Sequence, residues 1–271
     1  MWQPSPMAGN NGGNPATHFG RQLRKERLSR GWSIHELAHR TGITAGHLSR
    51  IENGKRMPTA AVAQACDDVF PERRGWFSEY VADSQAWTPP GFRVWSEYED
   101  GARTLRAWIP GVIHGLAQTE DYARAQLSTA IGATPEIIAT RLTARMQRQR
   151  RTILRDDHAP ATVLLVDELG LTREAGSADV MAGQCAHLLT LAGMPHVTLQ
   201  VVPAMVHAAL ASELTLADHA AYVEHLVSGY VYTDEQTVSS LSRMISAIQA
   251  EAYRASESRQ IIDRTRERWM K

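Results

Sequence analysis

The stretch SIHELAHRTG, Ser33 to Gly42, sets His35, Glu36 and His39 in the spacing H-E-x-x-H. On a helix, residues four apart share a face, so two imidazoles placed this way can grip one zinc ion while the glutamate activates a bound water. That chemistry would make the chain a metal-dependent hydrolase. A zinc site also needs a third protein ligand. The extended motif has it three residues past the glycine, where this chain has Ala45, and His47 comes two residues late, beyond a turn. Ser33 and Glu36 meanwhile stand in the S-x-x-E relation of a capping box. There the serine oxygen accepts from the Glu36 N–H and the Glu36 carboxylate reaches back to the Ser33 N–H. The spacing predicts a capped helix, with no metal.

The other reactive side chains are dispersed. Cys66 and Cys185 have no second thiol nearby and read as small buried hydrophobes. His187, His196, His207, His219 and His225 lack metal-ligand spacing beside a carboxylate. Asp167-Glu168 ends a strand and reads as a surface or capping pair, and Ser239-Ser240 lacks the G-x-S-x-G elbow. No catalytic residue and no cofactor are expected, and the chain is read as a non-enzyme.

Charge is more informative. The 271 residues carry a net charge of zero, but 21 to 56 hold nine Lys or Arg against three Glu, so a +6 segment is joined to a −6 remainder. A compact basic piece on an acidic body suits a nucleic-acid reader with a regulatory domain. The N-terminus shows no signal peptide and no stretch is long and apolar enough to span a bilayer, so a cytoplasmic protein without a membrane partner is expected.

The elements that must position these residues fall into blocks. Residues 1–17, rich in Gly, Asn and Pro, read as a flexible tail. From 18 to 72 the pattern is short helices, broken at Gly31, Gly42 and Asn53-Gly54 and restarted at Ser33, Thr44 and Pro58. Residues 73–108 hold Trp76, Trp87, Trp95 and Trp108 and read as an aromatic connecting segment, either covering a seam between domains or caging a ligand. Across 109–271, helical patterns at 119–131, 135–155, 177–192, 234–255 and 257–268 are interleaved with period-two runs, ATVLLVDE, HVTLQVVP, ELTLAD, AYVEHLV and GYVYT. The fold class is therefore an N-terminal all-α domain followed by a mixed α+β domain, with antiparallel pairing after Pro203. Arg141, Arg145 and Arg148 share a helical face that reads as solvated, acid-paired or a second phosphate contact.

RQLRKERLSRG followed by SIHELAHRTGITAGHLSRIENGKRMP closely resembles the Xre, or lambda-repressor-like, helix-turn-helix family. The landmarks are Leu23-Arg24, Arg27, Gly31, Glu36-Leu37-Ala38, Gly42, Ser49, Ile51 to Gly54, and Pro58. The resemblance implies a five-helix domain binding double-stranded DNA, with a recognition helix from Thr44 to about Asn53 in the major groove. Ala45, Gly46, His47 and Arg50 then face the bases, Arg50 being able to pair bidentately with guanine. Arg24, Asn53, Lys55 and Arg56 hold phosphates.

HGLAQTEDYARA, RLTARMQRQR, VDELGLTREAGS, HVTLQVVP and ESRQII resemble a family of actinobacterial regulators in which an Xre domain precedes a C-terminal domain of poorly defined function. His114-Gly115 stands where Pro-Gly is usual. This resemblance implies a transcription regulator whose C-terminal domain binds a partner or effector, and a small partner protein encoded nearby, as in toxin–antitoxin systems. The alternative it implies is an antitoxin-like protein that sequesters that partner and binds DNA for autoregulation. A homodimer is expected, because one small reader covers little DNA.

Overall fold

The computed structural model describes residues 15–85, 90–155, 157–204, 213–225 and 228–271. The chain divides into two compact units, Met1–Thr88 and Pro89–Lys271. The expected tail lies outside the described residues as far as residue 14, and from Pro15 onward it is already helix. Trp87 and His207 are likewise outside them.

The first unit is helical: α1 (Pro15–Ser29), α2 (Ile34–Thr41), α3 (Ala45–Glu52), α4 (Ala60–Val69) and α5 (Trp76–Gln85). Its core joins Phe19 and Leu23 of α1, Leu37 of α2, Leu48 and Ile51 of α3 and Cys66 of α4. Trp76, Phe77, Tyr80 and Val81 of α5 complete it, each at most 3% exposed. The start of α5 is held by buried Asp67, whose carboxylate accepts from the Phe77 N–H at 3.0 Å and the Ser78 N–H at 2.8 Å. Segment 73–108 is thus not one connector. Its aromatics divide between two cores, Trp76 in the first unit and Trp95 and Trp108 in the second.

The second unit runs α6 (Pro90–Asp100), β1 (Thr104–Ile109), α7 (Glu120–Ser128), α8 (Pro135–Arg151), β2 (Ala161–Asp167), α9 (Glu168–Thr172), α10 (Ala178–Leu191) and β3 (Val197–Val202). It closes with β4 (Glu213–Ala217), β5 (Ala220–His225), β6 (Ser228–Tyr232), α11 (Glu235–Glu251) and α12 (Ala255–Trp269). The strands form one mixed sheet in the order β3-β2-β1-β4-β5-β6, parallel from β3 to β1 and antiparallel beyond it. The α+β expectation holds, including antiparallel pairing after Pro203. β1, assigned from sequence to the connector, instead runs through the interior of the sheet, Ala107 pairing with Leu164 on one side and Thr215 on the other.

One sheet face carries Leu105, Val166 and Val201 against Trp95 of α6, Leu188 of α10 and Ile262 of α12. The other carries Trp108 and Leu216 against Ile245 and Ile248 of α11. Two of the α8 arginines are acid-paired and inward: Arg148 grips buried Glu99 through two hydrogen bonds at 2.6 and 2.8 Å, and Arg151 meets Asp100. Asp167 accepts from the Gly111 and Leu169 N–H groups at 2.7 and 3.0 Å, so it is a cap. No helix among the described residues is long and apolar enough to cross a membrane.

Candidate nucleic-acid interface

Ser33, in extended conformation, starts α2 by accepting from the Glu36 N–H at 3.1 Å. The reciprocal half of the expected capping box is not made. Glu36 turns instead along the helix to Arg40, Nε to Oε1 2.7 Å, because an arginine one turn on offers the carboxylate a charged partner where Ser33 offers a backbone amide. His35 and His39 are exposed, and among the described residues no three His, Cys, Asp or Glu side chains are grouped to hold a metal ion. Replacing Ser33 with Ala is expected to cost about 1 kcal/mol, whereas Glu36→Ala removes only an exposed pair worth about 0.3–0.5 kcal/mol. Thermal melts of the two variants check this; a loss in Glu36→Ala as large as that in Ser33→Ala would mean that the carboxylate does close the cap.

Gly42 makes the turn, at φ +69° in the left-handed region that only glycine enters at little cost. Thr44 then leads into α3 without capping it by its side chain. Three residues face inward, Leu48, Ile51 and Glu52, each buried. On the opposite side Gly46, Ser49, Arg50 and Asn53 are exposed, spaced as one stripe of a helix, with Ala45 and His47 partly covered at its edges. Asn53 is tied down, its side-chain amide donating to the Ser49 carbonyl at 2.7 Å. Burial first, then the charges of Arg56 and Arg50, lower the His47 pKa, so its imidazole is neutral near pH 7. Lys55 and Arg56 are exposed just beyond the helix and Arg24 is exposed on α1. Ser49 was not among the residues expected to face bases, although it lies one turn from Gly46.

The helix is clamped from behind. Buried Glu52 receives two hydrogen bonds from Arg27 of α1, at 2.7 and 2.8 Å, while the same guanidinium donates to the Trp32 carbonyl at 2.8 Å. Glu52, by its side-chain hydrogen bond above all, raises the Arg27 pKa further still. α1 crosses the end of α3 at Gly20, where a Cβ would sit 2.2 Å from the Ile51 carbonyl oxygen.

The three acids of the basic segment are each taken by an arginine: Glu52 by Arg27, Glu26 by Arg30 and Glu36 by Arg40. Arg30 and Arg40 also lie over aromatic rings, Phe70 at 4.6 Å and Trp32 at 4.3 Å. Arg21, Arg24, Lys25, Arg50, Lys55 and Arg56 remain, all exposed and in no ion pair among the described residues. The +6 read from the sequence is therefore six solvent-facing cations, available to phosphates.

A family model described as Domain of unknown function (DUF5753) matches residues 92–264, and one described as Helix-turn-helix matches residues 23–77. No curated protein and no solved structure matches the chain significantly.

Proposed function

Since the chain belongs to the family of the domain of unknown function DUF5753, with a helix-turn-helix segment ahead of that domain, we propose that it is a sequence-specific DNA-binding transcription regulator. α3 enters the major groove with Thr44, Ala45, Gly46, His47 and Arg50 toward the bases, and Ser49 joins them. Arg24, Asn53, Lys55 and Arg56 take phosphates. The second unit supplies dimerisation and binds a partner or effector. In the alternative, suggested by the resemblance to actinobacterial and toxin–antitoxin-like regulators, that unit sequesters a small protein and DNA binding is autoregulatory.

The observation that carries the reading is the set of six exposed cations of the first unit, in no ion pair among the described residues, beside a helix α3 whose inner face is fixed by burial. Arg50→Ala is expected to cost about 1–3 kcal/mol at a cognate site and to relax one base position. Lys55→Ala should weaken all sequences alike and flatten the salt slope by about one. Gel shifts across a salt series, on cognate and random DNA, separate the two. Equal loss on both DNAs for Arg50→Ala would show that it reads no base.

A further inference from the structure

Glu213 and Glu224 are directly opposite each other across β4 and β5. Like charges in that position repel. Neither has an arginine or lysine partner among the described residues. Glu213 meets His114 Nε2 at 3.1 Å, and Glu224 accepts from the Tyr222 hydroxyl at 2.7 Å. His114 Nδ1 accepts from the Leu116 N–H at 3.2 Å, so its Nε2 is the protonated nitrogen and donates to Glu213.

Two guanidiniums stand nearby and neither relieves the pair. Arg148 is consumed by Glu99. Arg145 is partly buried, yet it donates only to neutral amide oxygens, Gln118 at 2.6 Å and Gln126 at 2.9 Å. Burial, and then Arg148, pushes its pKa down to about 10, while Glu213 and Glu224 act in the opposite sense. Among the described residues, a cation without a carboxylate and carboxylates without a cation thus share one neighbourhood, beyond ion-pair distance of each other. Folding alone gains nothing from such an arrangement, because unpaired buried charge is costly. The place is reachable from solvent: the Glu213 side chain is 16% exposed and Glu224 is only partly buried.

We propose that Arg145, Glu213 and Glu224 form a binding site for a small zwitterion, an amine–carboxylic acid, whose carboxylate meets Arg145 and whose ammonium lies between the two glutamates. An ammonium group has three N–H donors and suits two carboxylate acceptors, whereas a divalent ion asks for six or more oxygens. The inference deepens the effector role of the second unit and rests on it.

Calorimetry on the full chain tests the site with ω-amino acids from glycine to 6-aminohexanoate, alongside ethanolamine and propionate as probes carrying one charge each. At least one amino acid should bind saturably, and both single-charge probes about tenfold or more weaker. Glu224→Gln still accepts from Tyr222 but removes one like charge, so it should lose that binding while melting at the same or a higher temperature. Binding should also weaken on acidification. Burial and then the Glu213 charge raise the Glu224 pKa against Tyr222, Arg148 and Arg145, so a proton competes with the ammonium there. Glu213, opposed by burial but held by His114, Arg148 and Arg145, stays below its ordinary range.

No saturable binding by any zwitterion, equal binding by ethanolamine or propionate, or a lower melting temperature in Glu224→Gln would each overturn the proposal. Gel shifts with and without the bound amino acid test the parent reading separately. Unchanged DNA affinity would sink the effector role and leave the site standing.

Discussion

A fragment ending at Pro71 is expected to be unfolded, while one ending at Thr88 folds and melts cooperatively. The difference is α5. Trp76, Phe77, Tyr80 and Val81 are buried among Phe19, Leu23 and Phe70, with Phe77 edge-on to Phe19 at 5.2 Å and Tyr80 stacked on Trp76 at 5.0 Å. Each such side chain contributes about 1.5–3 kcal/mol on burial, so four of them rival the roughly 5–15 kcal/mol that holds a whole domain together. Truncation at Pro71 also strips Asp67 of the two backbone donors that satisfy its carboxylate. Circular dichroism and thermal melts of the two fragments decide it. A Pro71 fragment melting within a few degrees of the longer one would mean that α5 is packed on the unit without supporting it. The Thr88 fragment then isolates the reader. Sedimentation beside the full chain tests the proposal that the chain dimerises through the second unit, and a dimeric fragment, or a monomeric full chain, would overturn it.

How much of this was legible in the sequence follows from the range of the contacts. Ser33, Gly42 and the Leu48–Ile51 stripe act within a few residues, and the helices around them were readable from spacing. The destination of α5 was not, because its cap, Asp67, lies ten residues upstream of Phe77, beyond any local pattern. β1 was lost for a different reason. In TLRAWI, Arg106 and Trp108 share the face covered by α11, where Arg106 donates to Ser242 and Ser246. Neither face of the strand is solvent, so the alternation that marks a half-exposed strand is blurred. The face of Arg141, Arg145 and Arg148 offered three open explanations, and the partner that decides for Arg148, Glu99, is some fifty residues away. The site of Glu213 and Glu224 depends on strand register and had no signal of its own.

Glu52→Ala should cost the first unit about 3–5 kcal/mol, enough to unfold much of it, because it leaves Arg27 buried without its carboxylate. The size of that loss measures the stranded charge and not the worth of the pair. Replacing both partners with apolar residues of similar volume, Arg27→Met with Glu52→Leu, should recover most of the stability, since a buried pair is often neutral or worse against a well-packed apolar substitute. What the double variant should not recover is full DNA affinity. Arg27 binds three places at once, its own position on α1, the Trp32 carbonyl before α2 and Glu52 at the end of α3, and so fixes the angle at which the exposed stripe is presented. Apolar side chains fill the space without setting that angle, and a recognition helix displaced by an ångström misaligns every base contact together. Denaturant titration of the Thr88 fragment and gel shifts of the full chain measure the two effects independently. If the double variant stays unfolded, the pair is irreplaceable for stability, and if it folds and binds like wild type, then packing alone orients the helix.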